Sequence, residues 1–164
     1  MTKNTPTYIF KLVAIESIDL DDRLTSFSLG TPADSLQRSI EEVGVIHPVT
    51  LVPTGDRFRI VCGHRRAKIA SLLKTNKIPA RILDSAMSDK SMLTLNLSEN
   101  QVHRHYSDIE KGLILSKLSE VKVSESRIIE KYMPMLGLGR SKKLLDDYLD
   151  ASQLTPSLKT LLHE

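Results

Sequence analysis

Apolar residues follow two regimes along the chain. Up to Leu83 they come in short clusters broken by glycine and proline; from Ser88 onward they recur at helical spacing. The first regime predicts an extended entry over Tyr8 to Ile18, with Ile9, Val13 and Ile15 available to a sheet. Thr31-Pro32-Ala33-Asp34 predicts a helix start, because threonine caps, proline suits the first turn and Asp34 sits at capping-box spacing. Leu36, Ile40 and Val43 give that helix one apolar face, and Gly44 suits its end. Val49 to Val52 and Phe58 to Val61 predict two strands joined by a turn in Pro53-Thr54-Gly55-Asp56. Gly63 breaks the second strand, a helix is expected from His64 to Leu73, and another strand from Ile78 to Leu83.

The second regime predicts only helices. One runs from Ser88 to about Asn100, and Ser107-Asp108-Ile109-Glu110 is a capping box that opens the next, burying Ile109, Leu113 and Leu118. Further helices are expected near Glu125–Met133, Lys142–Asp150 and Pro156–His163. The expected fold class is therefore α+β. A small mixed sheet with packed helices occupies residues 1–106, followed by an all-α segment over 107–164.

Composition narrows the function classes. Hydrophobic content of 40% predicts a real core, and the scarcity of aromatics (4%, no Trp) leaves Leu, Ile, Val and Met to fill it. Cys62 is the sole cysteine, which excludes an internal disulfide framework or a multi-cysteine metal site. Met1 to Tyr8 is short and polar, so no signal peptide is expected; no apolar stretch has membrane-spanning length. A cytoplasmic protein without a membrane partner is the expectation. Net charge is +3, yet residues 108–164 carry 9 Lys and Arg against 9 Asp and Glu, which supports an anionic ligand only weakly.

Three stretches could carry chemistry. In Val61-Cys62-Gly63-His64-Arg65-Arg66-Ala67 a helix opens with two arginines in its first turn. The exposed amides and macrodipole there are already positive, so such a start is unfavourable unless an anion arrives, and phosphate is the natural candidate. A solvated basic helix start is the other reading. In Ser98-Glu99-Asn100-Gln101-Val102-His103-Arg104-His105 a carboxylate and an amide offer hard oxygen donors suited to Mg²⁺, or Asn100 simply ends the helix. Gly44-Val45-Ile46-His47-Pro48-Val49 forms a tight passage from helix to strand, either a ligand-binding loop or a plain connection.

In this order and spacing the three stretches resemble the ParB/sulfiredoxin-like superfamily, and ParB N-terminal domains in particular. Ser39 to Val49 resembles that family's SI…GI.QP box, Gly63-His64-Arg65-Arg66 its GERR box, and Glu99 to His103 its ENLQR box. Arg23 and Phe27 resemble an upstream QPR…F element. The resemblance implies CTP as ligand, its phosphates held by Gly44, Val45 and His47 together with Gly63, His64, Arg65, Arg66 and Arg23. It implies Mg²⁺ near Glu99 and Asn100, and a homodimer that nucleotide closes into a clamp on DNA. His64 replaces the family's glutamate and His103 its arginine.

Residues 119–164 resemble the start of a helix-turn-helix domain, with Leu136-Gly137-Leu138-Gly139 as the turn and Ser141 as a cap. Arg140, Ser141, Lys142, Lys143 and Arg104 are the implied DNA contacts, although Asp146, Asp147 and Asp150 follow on one side of the same helix. The implied role is a nucleoid- or plasmid-associated partition or regulatory factor with a possible partition ATPase as partner. Two other classes remain open. One is a nucleotide-dependent enzyme of the sulfiredoxin or free-serine-kinase type. In it Gly63 would stand where sulfiredoxin has its reactive cysteine, and Cys62 where the kinases have a carboxylate. The other is an interaction module.

Overall fold

The computed structural model describes residues 7–28, 34–101 and 105–153. The described residues fall into two compact units: 7–26 with 34–88, and 27–28 with 89–101 and 105–153. This division by packing falls earlier in the chain than the boundary expected near Ser107 from the change to all-helical sequence; Thr94 of the helix starting at Asp89 bonds to Tyr132 at 2.7 Å, within the helical unit.

The first unit is a five-stranded mixed sheet in the order β1-β5-β3-β4-β2. Its strands are β1 (Tyr8–Ala14), β2 (Ile18–Asp19), β3 (Val49–Thr54), β4 (Arg57–Cys62) and β5 (Lys77–Leu83). A single 3-10 turn, Ile15–Ser17, joins the first two. β1 runs antiparallel to β5, β5 parallel to β3, β3 antiparallel to β4, and β4 parallel to β2. β3 buries Val49, Thr50, Leu51 and Val52 in succession, as a strand covered on both faces must. Both prolines in strands lie where one neighbour has ended. Pro79 faces Leu12 of β1 just before the β3 pairing begins at Ala80, and Pro53 lies beyond the last β3–β5 pair, Leu51 with Ile82. Gly55 and Asp56 form a two-residue hairpin loop in which Gly55 adopts φ +56°.

Two helices accompany the sheet, α1 (Asp34–Val43) and α2 (His64–Leu72). Val13, Ile18, Val49, Leu51, Ile60, Ala67, Ala70, Ile78, Ala80 and Ile82 form one core. The apolar face expected of α1 is realised only in part. Ile40 is buried and Leu36 half-buried, while Val43 in the last turn is 61% exposed. The expected cap at Thr31-Pro32-Ala33 lies outside the described residues. On the outer strand β1 only Val13 is buried, and Ile9, which pairs with Ile82, stays exposed.

The second unit is helical. α3 (Asp89–Asn100) buries Met92, Leu93, Asn96 and Leu97. α4 (Asp108–Glu120) opens with the expected capping box: Ser107 Oγ accepts from the Glu110 amide, and the Ser107 amide donates to Glu110 Oε2 at 3.0 Å. That exchange gives the buried Glu110 carboxylate a partner. Ile109 and Leu118 are buried as expected, while Leu113 is half-buried and Ile114 and Leu115 complete the core. A helical run over 125–135 follows, whose middle, Ile128–Tyr132, is a π turn. Pro134 gives the reason: it has no N–H to donate to the Glu130 carbonyl and its ring crowds that oxygen, so the preceding turn widens. Gly137 at φ +74° ends the run, with its own amide donating to Pro134 O and that of Leu138 to Met133 O, a Schellman closure. Ser141 then caps a helix over Lys142–Ser152 by accepting from the Leu144 amide. This helix lies close against α4, since a Cβ on Gly112 would come within 2.8 Å of the Tyr148 carbonyl, and Tyr148 donates to Asp108 at 2.8 Å. The expected Pro156–His163 helix falls outside the described residues.

Candidate functional site

β4 delivers the chain into the glycine turn with an irregularity. Thr50 faces Cys62 but Leu51 faces Ile60, so Val61 is an extra residue on β4, a bulge of the kind that re-aims a strand end. Gly63 then adopts φ +101°, and a Cβ there would lie 2.8 Å from Val49 Cγ1. α2 starts at once, with Ala67 donating to the Gly63 carbonyl. Gly63 has no side chain to cap the helix, and no acidic residue stands in its first turn. The first-turn amides therefore point out of a helix of nine residues beside two arginines, the arrangement that suits a phosphate.

The two arginines have different tasks. Arg66 Nη1 donates to the carbonyl oxygens of Pro48 at 2.9 Å and of His47, tying the loop after α1 to the glycine turn. The first and second boxes are thus joined by one guanidinium. Gly44 supports the bend with φ +76°, and Val45 packs against the core. The His47 side chain is exposed. Arg65 is exposed, and among the described residues it has no partner. Arg66→Ala should accordingly lower the unfolding free energy by about 1–3 kcal/mol, since it leaves two carbonyls without their donor, whereas Arg65→Ala should leave it nearly unchanged. Urea denaturation of the two variants checks this contrast.

His64 sits behind the turn. Burial drives its pKa down to about 4; Asp22 opposes and Arg23 assists, so the ring is neutral near pH 7. Thr25 Oγ1 donates to the Ile60 carbonyl at 2.7 Å and lies 3.4 Å from His64 Nε2. With the hydroxyl proton committed to Ile60, the network assigns the ring proton to Nε2. Asp22 pairs with Arg59 Nε at 2.6 Å and accepts from the Leu24 amide at 2.9 Å. Burial raises the Asp22 pKa, but the bonds from Arg59 and Leu24 outweigh it and hold the carboxyl below its ordinary value. Arg23 is exposed between these two anchors. Asp22, Thr25 and Arg59 had no signal in the local pattern, because their partners lie 35 or more residues away.

Glu99 and Asn100 end α3 in the helical unit, and Asn100 Nδ2 donates to the Asn96 carbonyl at 2.9 Å. Among the described residues no group of three or more His, Cys, Asp and Glu side chains is assembled to hold a metal. His103 and Arg104 lie outside the described residues. At the start of the last described helix Lys142 and Lys143 are exposed, as is Arg140 just before the half-buried cap Ser141. Glutamates of the 125–135 run take two of these bases: Arg140 pairs with Glu130 at 3.3 Å and Lys142 with Glu125 at 2.7 Å. Lys142 also lies 3.6 Å from Asp146. Among the described residues Lys143 has no acidic partner.

Residues 11–101 match the family model of the ParB N-terminal domain, more than half of the chain. The chain belongs to the ParB family. A probable chromosome-partitioning protein ParB of Coxiella burnetii is 30% identical over 132 residues, covering 80% of this chain and 43% of its own length. The ParB-family chain thus spans less than half of that relative. Its fold is shared with a Pnob8-like ParB-N domain (TM-score 0.57, 18% identity, 96% of this chain and 68% of that one). It is shared also with C-terminally truncated ParB from Caulobacter crescentus. That protein complexed with CTP-gamma-S gives a TM-score of 0.50 at 16% identity, covering 95% of this chain and 93% of that one. Complexed to the centromeric parS site it gives 0.50 at 17% identity, covering 92% and 82%. The matched region runs through both packing units, taking in the sheet and α3. Among the described residues no helix is long and apolar enough to cross a membrane.

Proposed function

We propose that this ParB-family chain binds a nucleoside triphosphate, CTP by preference, and uses it to control a homodimeric clamp on DNA in partition or regulation. The observation that carries the reading is the uncapped start of α2, with Arg65 exposed beside it and the 44–48 loop held against it by Arg66. Together they put a base and uncapped helix-start amides side by side, with no acid in the helix's first turn. In this reading Gly63, Arg65 and the 44–48 loop receive the phosphates, and His64 lines the turn as a neutral ring. Glu99 and Asn100 are oxygen donors of the type that hold Mg²⁺ beside phosphates, an ion that commonly takes only one or two protein ligands. When bound, Mg²⁺ would neutralise phosphate charge. The buried position of Cys62 argues against a sulfiredoxin-like nucleophile.

Thermal-shift titration with CTP, ATP and GTP in Mg²⁺ tests the reading. Ligand at a hundred times its Kd stabilises a folded protein by about 2.7 kcal/mol, a readily measured shift. Arg65→Ala should weaken CTP roughly tenfold to a hundredfold, the worth of one charge-assisted contact. Equal shifts in the wild type and Arg65→Ala, or none at all, reject the proposal. Sedimentation with and without CTP tests the homodimer, and co-sedimentation with a partition ATPase tests that partner.

DNA contact by the Lys142–Ser152 helix belongs to the same proposal. Its bases are partly neutralised by Glu125 and Glu130, so affinity is expected to be weak and steeply salt-dependent. Replacing Arg140, Lys142 and Lys143 together should flatten the slope of log K against log salt by up to about 3. Glu125→Gln with Glu130→Gln should strengthen binding, because phosphates then no longer compete with carboxylates. Fluorescence anisotropy on duplex DNA across a salt series reads both changes. An unaltered slope in the triple variant would move the DNA surface elsewhere.

A further inference from the structure

Arg23 stands in a loop that is pinned on either side of it. On one side Asp22 pairs with Arg59 of β4 and accepts from the Leu24 amide, which fixes the backbone through Arg23. On the other, Thr25 is buried and donates to the Ile60 carbonyl, also on β4, while facing His64 at the start of α2. The Ser26 amide closes the turn onto the Arg23 carbonyl at 3.4 Å. Between these anchors the Arg23 side chain is exposed, and among the described residues it has no hydrogen-bond or ion-pair partner. A loop needs neither a half-buried ion pair nor a buried hydroxyl to expose one arginine. Such anchoring is what holds a long, flexible cation in one place before its ligand arrives.

We infer that Asp22, Thr25 and Arg59 are positioning residues, which brace the 22–25 loop on β4 and α2 so that Arg23 meets the phosphates at the Gly63 turn. The inference rests on the nucleotide reading above and adds to it what holds Arg23, a base from a segment distant in sequence, in place. Arg23 is near enough to His64 to disfavour its protonation, in keeping with a guanidinium held beside the turn. His64 is one of the braced contacts and stays uncharged, so it does not compete with Arg23 for an anion.

The sign of one substitution separates bracing from simple electrostatics. Asp22→Asn removes a negative charge near an anion site, which by Coulomb's law alone would strengthen CTP binding. Bracing demands the opposite, a weakening of roughly five- to tenfold, because Arg23 is released. Thr25→Val should weaken binding comparably, and Thr25→Ser should restore it. In an Arg23→Ala background neither Asp22→Asn nor Thr25→Val should weaken binding further, since nothing remains to be positioned. Calorimetric titration of the full chain with CTP and Mg²⁺ reads all of these, with circular dichroism confirming that each variant is folded. Where Asp22→Asn does not fold, the Thr25→Val and Thr25→Ser pair decides. Affinity that is unchanged or raised in Asp22→Asn, or losses that persist without Arg23, would overturn the brace alone. Absence of CTP binding by the wild type would overturn both the brace and the nucleotide reading.

Discussion

Gly63→Ala is expected to lower the unfolding free energy by about 3 kcal/mol or more, with two physical effects adding. At φ +101° an alanine enters a region that L-residues avoid, at a cost of roughly 1–2 kcal/mol. Its Cβ would also stand 2.8 Å from Val49 Cγ1 on the fully buried stretch of β3, and overpacking of that kind costs about 1–3 kcal/mol. Gly55→Ala supplies the control. Gly55 shares a positive φ of 56°, but nothing lies within 4 Å of the point a methyl group would occupy, so only the backbone cost of about 1 kcal/mol should appear there. Urea denaturation of both variants isolates the steric part. Equal losses would mean that β3 and the start of α2 do not approach as closely as described.

Acid should destabilise the protein through His64 in a window above that of its carboxylates. Its folded pKa of about 4 lies below the ordinary 6.5, so between these values the unfolded chain binds a proton that the folded chain refuses. Stability therefore rises with pH across the window and is lost as pH falls from 6.5 toward 4, by roughly 3 kcal/mol at most. Below 4 the folded ring protonates too and this dependence ends. Asp22 acts lower still, since its carboxyl is held below 3.8 and its contribution disappears only as it is protonated. His64→Gln should remove most of the slope between pH 6.5 and 4 while leaving the steeper acid limb in place. Denaturation midpoints of the two proteins along a pH series provide the measurement. A wild-type His64 that titrates near 6.5 by NMR would sink the account.

Much of the fold is legible in short stretches of sequence, because each feature depends on neighbours within one turn or one hairpin. The Ser107–Glu110 capping box, the Gly55-Asp56 loop, the glycine end at Gly44 and the strand clusters all follow from spacing and backbone preference. The phosphate candidate at Gly63–Arg66 is legible for the same reason: arginines at a helix start are locally unfavourable, and the misfit shows. The Leu36-Ile40-Val43 stripe is legible as a period but not as an extent, since a period does not say where the covering surface stops. The π turn before Pro134 is similarly a response to one residue that the apolar pattern does not register.

The sequence by itself determined that this is a ParB-like sheet domain followed by helices, and that its candidate chemistry gathers around three boxes. Only the tertiary structure decided what each charged side chain does. Of two adjacent arginines, Arg66 secures the His47-Pro48 loop and Arg65 stays exposed. Of the bases at the start of the DNA candidate helix, Arg140 before its cap and Lys142 are held by glutamates and Lys143 is not. Gly112 is where the Lys142–Ser152 helix approaches α4. The physical reason is common to all of these. Local conformation is set by residues a few positions apart, whereas ion pairs, buried hydroxyls and close helix contacts join residues tens of positions apart, and those partners exist only once the chain has folded.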